Sequence, residues 1–269
     1  MRTQPGPEVV WVDGALSARS PDPGLLTGLG VFETLTMLRG VPFALTRHVR
    51  RMQGGARRLH LPPPPRAEIE AACAQVGQAC RDIAVARLRL TWTPGPSGSG
   101  RLLATAAPYA PAATVAVALS PYRRNPDSPL AGIKATSYAE NVLALARARA
   151  EGADEAILAD TGGRLSEGAT SNVFVEVGGE LLTPPLSTGC LPGVTRGLCL
   201  EWGAREGLPI READLPLDVM NTTAHAALTS ALKGVMPVRA VGARRITTGP
   251  LTRELAAVYR RNRARWTDP

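Results

Sequence analysis

Lysine is almost missing from this 269-residue chain. Of its 31 basic residues only Lys134 and Lys233 are lysines, so chemistry that needs a primary side-chain amine falls on one of two positions. Metal chemistry has equally little to work with. The three histidines (His48, His60, His225) are scattered and the four cysteines (Cys73, Cys80, Cys190, Cys199) form no CxxC pair. A zinc site needs about four convergent ligands, so no metal is expected, and the cysteines read as free buried thiols of a reducing compartment. No run of about 18 apolar residues occurs, which argues against a membrane span. The first fifteen residues hold no apolar run behind a basic segment, so no secretory signal is expected. A cytoplasmic location is the expectation. Aromatic residues make up only 4% of the chain and do not interleave with the arginines. The net charge of +8 therefore reads as a solvated Arg-rich surface that attracts small anions, rather than as a platform for nucleic acid.

What is present is an ordinary globular composition, 44% apolar and 20% charged, long enough for one large or two modest cores. VVWVDGAL (9–16) reads as a short strand and a turn at Asp13-Gly14. VFETLTML follows a glycine-bearing stretch as a strand, with Arg39-Gly40 as a hairpin turn. A helix is expected from about Thr46 as N-cap, with Gly54-Gly55 inside it as a weak point in its continuity. Further helices are expected over 66–80, 138–151, from 193 to 205 and from 250 to 263. Strands are expected over 86–93, 114–120, 155–160, near 209–212, and over 225–231 and 235–240. PGPSGSG (94–100) reads as a loop, and SNVFVEV-GG-ELLT as a hairpin. Composition places a linker at 109–113, within AAPYAPAA, between an N-terminal domain (1–108) and a C-terminal domain (114–269). The fold class is α+β.

Three features between residues 134 and 196 carry chemistry. Lys134 sits in LAGIKATS, an apolar-flanked stretch that suits a partly buried amine, and burial near other cations lowers a lysine's pKa. Glu167 lies in RLSEGATSNVF. Gly193-Val194-Thr195 opens a helix, whose free N–H groups bind anions. A lysine, a carboxylate and a helix N-terminus are what a pyridoxal phosphate (PLP) site needs. Taken singly, none decides the matter: a surface lysine is as good a reading of Lys134, and a turn and an N-cap are the better single readings of the other two.

Together they form a pattern. The order K…EG-(small)2-SNVF…LPGVTR, with HxxR upstream (His48 to Arg51), resembles the fold-type IV PLP enzymes. That family contains branched-chain aminotransferases, D-amino acid transaminases and aminodeoxychorismate lyases. DPGLLTGLGVFE (22–33) and TSALKGVMPV (229–238) extend the resemblance over most of the chain. Pro23 and Leu29 depart from the family pattern in the loop before the first long strand. The resemblance implies a two-domain fold, a smaller N-terminal α/β domain and a larger C-terminal domain with a pseudo-barrel, with PLP between them and a homodimer as the working form. It implies that Lys134 binds PLP as a Schiff base and shuttles protons, and that Glu167 pairs with the pyridine nitrogen. Arg51, Val194, Thr195 and Ser230 would hold the phosphate, and Leu191 would pack on the ring. Phe32 would line the substrate side, with Arg39 or Arg101 as a cation for a small anionic substrate. RRNPDSPLAGIK (123–134) and GVMPV (234–238) look most like the lyase members, which release 4-aminobenzoate and pyruvate in folate biosynthesis. An aminotransferase for branched-chain or D-amino acids is the alternative.

Overall fold

The computed structural model describes residues 10–12, 15–17, 23–95 and 99–269. A small hairpin, β1 (Val10–Val12) with β2 (Ala15–Ser17), comes first. The turn expected at Asp13-Gly14 lies outside the described residues. The N-terminal part then runs through α1 (Pro23–Thr27), β3 (Val31–Leu38), β4 (Val41–Pro42), α2 (Leu45–Arg58), α3 (Arg66–Ala79), β5 (Val85–Pro94) and β6 (Gly100–Pro108). Its four strands form an antiparallel sheet in the order β4-β3-β5-β6.

Alternation along these strands sends side chains to opposite faces. Val31, Leu35 and Met37 of β3, with Leu88, Leu90 and Trp92 of β5, form one core with Val49 and Met52 of α2 and Ile69 and Cys73 of α3. Phe32, Thr34, Arg87 and Arg89 fall on the other face, where Arg89 pairs in register with Thr34. Burying an apolar side chain of this size contributes about 1.5–3 kcal/mol, so this core fixes which face of the sheet is left for function.

The second part contains β7 (Val115–Arg124), α4 (Ala139–Ala150), β8 (Glu155–Asp160), β9 (Leu165–Gly168), β10 (Asn172–Val177), β11 (Glu180–Thr183), α5 (Val194–Arg205), β12 (Ile210–Glu212), α6 (Val219–Thr222), β13 (Ala226–Ser230), β14 (Gly234–Val241), β15 (Arg244–Arg245) and α7 (Pro250–Arg265). Its sheet runs β12-β11-β10-β13-β14-β7-β8-β9, with β15 on β14. The β14–β7, β7–β8 and β11–β12 pairs are parallel. Val117, Ile157, Val173, Val175, Leu228 and Val238 fill the centre of its core. The whole is a mixed α+β fold.

Several local expectations change. Residues 100–108 form a strand, although GRLLATAAP is rich in alanine and poor in strand formers; nine registered pairs with β5 impose it. Ser166, Glu167 and Gly168 lie in a strand paired with β8, not in a turn. Thr46 is not an N-cap: α2 begins at Leu45 after Ala44, and the Thr46 hydroxyl donates to Asp268 (2.6 Å) instead. Gly54-Gly55 does not interrupt α2. A Cβ on Gly55 would stand 3.2 Å from Val31 and 3.3 Å from Ile133, so the glycine lets the helix lie against β3 and the segment leading to Lys134.

Candidate active site

Lys134 is held by β3. The Phe32 N–H donates to the Lys134 carbonyl (2.9 Å), the Thr136 N–H donates to the Gly30 carbonyl (2.9 Å), and Ala135 bridges Val31. Residues 134–136 thus occupy the stretch of β3 that the short β4 leaves unpaired. The Lys134 amine lies 4.4 Å from the centre of the Phe32 ring and 5.4 Å from that of Tyr138, with the two rings edge to face. Burial, and then the nearby Arg51 charge, lower its pKa from 10.5 to about 8. An amine at this value is a usable nucleophile and base near neutral pH. Lys233 is placed differently: its ammonium is paired with the buried Glu155 carboxylate (2.5 Å).

Arg51 is oriented by a carboxylate that sequence reasoning missed. Glu33 on β3 is fully buried and accepts from Arg51 Nε (2.8 Å), Arg51 Nη2 (2.6 Å) and His48 (2.7 Å). Burial alone would raise its pKa; Arg51 and then His48 outweigh that and hold it at about 2. Burial lowers the pKa of His48 in turn, against the pull of Glu33. Arg51 Nη1 donates to the Pro192 carbonyl (3.0 Å), which ties α2 to the start of α5. Three of the five guanidinium N–H groups are used in this way, leaving two for a ligand.

Glu167, on β9, accepts from the Leu191 N–H (3.0 Å) and lies 3.2 Å from Arg124. Burial raises its pKa despite both partners. The Leu191 carbonyl accepts from Asn172 (2.9 Å), so the loop before α5 is fixed from two sides. Gly193 stands at the α5 N-cap, where a Cβ would fall 1.9 Å from Asn172 Oδ1; only glycine allows the helix to start this close to β10.

Lys134, Arg51, His48, Glu167, Leu191 and Gly193 border one cavity of about 1040 Å³, with Glu33 buried behind it. One wall carries Phe32, Thr34, Arg87 and Arg89 from the N-terminal sheet; Glu167, Asn172, Thr195 and Ser230 come from the second part. Arg89 stacks 3.8 Å over the Phe32 ring, and among the described residues neither Arg87 nor Arg89 is ion-paired. Of the residues anticipated from sequence, Phe32, Arg51, Lys134, Glu167, Leu191, Val194, Thr195 and Ser230 line this cavity. Arg39 lies exposed in the β3–β4 turn and Arg101 is exposed on β6; neither lines it. Arg87, Arg89, Arg124 and Asn172 were not singled out. Only RLRL, with its alternating arginines in a strand, could have pointed to the first two.

The class IV aminotransferase family model matches residues 30–241. The chain belongs to this family. A Methanocaldococcus jannaschii protein, provisionally named a branched-chain-amino-acid aminotransferase, is 29% identical over 91% of each chain. The aminodeoxychorismate lyase of Bacillus subtilis is 27% identical over 80% of this chain and 78% of its own. A Legionella pneumophila structure, provisionally named a 4-amino-4-deoxychorismate lyase, superposes with a TM-score of 0.83 at 22% identity, covering 90% of this chain and 93% of that one, a likeness of fold.

The family is PLP-dependent, and the cavity of this member fits the cofactor. Thr229 Oγ1, beside Ser230, is buried without a hydrogen-bond partner among the described residues. The first-turn N–H groups of α5 have no helical carbonyl ahead of them. Arg51, already tied to that helix, adds positive charge. An oxyanion satisfies such a donor set. At the other side, an amine and a carboxyl group with a raised pKa face the same space.

Proposed function

We propose that this chain is a PLP-dependent lyase that converts 4-amino-4-deoxychorismate to 4-aminobenzoate and pyruvate, a step of folate biosynthesis. The observation that carries this reading is a pair of arginines, Arg87 and Arg89, on the wall beside Lys134, neither of them ion-paired among the described residues. The substrate has two carboxylates, one on the ring and one on the enolpyruvyl group, and two cations suit it better than they suit a branched apolar side chain. Carboxylate recognition is therefore assigned here to Arg87 and Arg89 rather than to Arg39 and Arg101.

In this reading Arg51, the Val194 and Thr195 N–H groups, the Thr195 hydroxyl and Ser230 hold the cofactor phosphate. Leu191 packs on the ring and Glu167 pairs with its nitrogen. The bound cofactor supplies an electron sink at that nitrogen. Lys134 would hold the cofactor, and its amine, once free, would take the ring proton next to the substrate nitrogen. The carbon–oxygen bond to the enolpyruvyl group breaks, the ring becomes aromatic, and the departing enolate takes up a proton on its methylene carbon to leave as pyruvate. Phe32 and Tyr138 shield the amine from water and keep its pKa low. Residues 109–113 serve as the linker between two domains, with the cofactor between them. The working form is a homodimer in the cytoplasm, acting on a small anionic substrate. Val142 and Leu143, exposed side by side on α4, are an apolar surface of the kind a second protomer covers.

A class IV aminotransferase acting on branched-chain or D-amino acids is the second reading, favoured by the similarity to the M. jannaschii protein over nine-tenths of both chains. There Lys134 would take the proton from the substrate Cα. Supplying 4-amino-4-deoxychorismate separates the two. The lyase forms 4-aminobenzoate and pyruvate in equal amounts, and Arg89→Ala raises KM more than it lowers kcat. Rapid half-transamination of amino acids with no 4-aminobenzoate would overturn the lyase reading.

A further inference from the structure

Lys233 has no role in the mechanism above, yet it is one of two lysines in a chain that otherwise uses arginine. Its partner, Glu155, is fully buried at the start of β8. That carboxylate accepts from the Lys233 ammonium (2.5 Å), the Thr170 hydroxyl (2.5 Å), the Thr170 N–H (3.2 Å) and the Ser171 hydroxyl (3.1 Å). Lys233 also reaches Thr170 Oγ1 (3.0 Å), and its own N–H donates to Ser230 Oγ (3.2 Å).

The cluster joins two turns that have no reason in sequence to meet. Thr170 and Ser171 lie between Glu167 and Asn172, while Lys233 lies three residues after Ser230. A compact ammonium with three donors can enter a pocket between a carboxylate and a hydroxyl, where a planar guanidinium fork does not fit in the same way. A buried ion pair is a poor device for stability alone, because apolar groups of the same size hold a fold as well or better. Its use lies in fixing geometry.

We infer that Glu155 and Lys233 are positioning residues, a clasp buried at its Glu155 end and partly exposed to the cavity at Lys233, that sets the separation between the Glu167 side and the Ser230 side of the cofactor cavity and so governs cofactor affinity. The inference rests on the proposed roles of Glu167 and Ser230. Groups that orient binding residues typically change ligand affinity by about 10- to 100-fold when removed.

The test is absorbance titration with PLP, with thermal unfolding of the cofactor-free protein alongside. The proteins compared are the parent, Lys233→Met, and the double variant Lys233→Met with Glu155→Gln. The single variant leaves a buried carboxylate unpaired and loses stability. The double variant removes that charge and decides the question if the single one fails to fold. The expected result is a PLP dissociation constant raised about tenfold or more in the double variant even though its unfolding temperature returns toward the parent value. Borohydride reduction at saturating PLP still fixes the cofactor to Lys134. A double variant that binds PLP as tightly as the parent would overturn the inference while leaving the cofactor assignment intact. A parent protein that takes up no PLP would overturn both.

Discussion

Replacing Glu33 with glutamine tests whether the hidden carboxylate under α2 organises the phosphate side of the cavity. Glu33 is fully buried and receives three short hydrogen bonds from Arg51 and His48. Its pKa is held at about 2, against an ordinary 4.5. A carboxylate with a lowered folded-state value adds stability that is complete above the unfolded value and is lost as pH falls through the folded one. Here the contribution is full above about pH 4.5 and declines toward pH 2, and the difference corresponds to about 3 kcal/mol. That agrees with the ~3–5 kcal/mol cost of removing one partner from a buried ion pair. Glutamine keeps the shape but loses the charge and turns an N–H donor toward Arg51 or His48. At about 2–4 °C per kcal/mol for a chain of this size, Glu33→Gln should unfold about 6–12 °C lower at pH 7. The gap should close as pH falls below about 4.5, because the parent loses what the variant never had. Circular dichroism melts from pH 7 to pH 3 measure both effects, and PLP affinity should drop as Arg51 loses its anchor. A variant melting with the parent at pH 7 would refute the reasoning.

Two further outcomes follow from single observations. Gly193→Ala places a Cβ 1.9 Å from Asn172 Oδ1 and should both lower the unfolding temperature and weaken PLP binding in titration; the nearby Gly197→Ala, which meets nothing within 4 Å, should do neither. The Lys134 pKa of about 8 means that the rate of PLP uptake should rise with pH and level off just above 8. Because the unfolded chain keeps that proton up to about 10.5, the cofactor-free protein should also gain stability from this group between those two values. A plateau reached only near pH 10 in stopped-flow absorbance would contradict the buried setting of the amine.

The legible part of this protein was the part written in contiguous motifs. Lys134, Glu167, Leu191 and the α5 N-terminus could be named because IK, SEG and LPGVT are short and local. The β10–β11 hairpin and β8 were equally readable from alternation and glycine punctuation. What escaped depends on pairing across the chain. Glu33 reads as one polar residue in an alternating strand until α2 brings Arg51 and His48 over it. Lys233 and Glu155 are 78 residues apart, and no local pattern predicts their contact. β6 is a strand because β5 offers it a ladder, and Thr46 gives up its capping role because Asp268 returns to meet it. Arg87 and Arg89 became candidates only when register put them opposite Thr36 and Thr34, on the face of the sheet that carries Phe32.

The central claim is that one lysine of two, Lys134, carries the cofactor. Incubating the protein with PLP, reducing with borohydride and mapping the modified peptide tests it directly. The label is expected on Lys134, lost in Lys134→Ala, and still on Lys134 in Lys233→Ala at saturating PLP. A label found on Lys233 in the parent protein, or no label on either lysine, would contradict it.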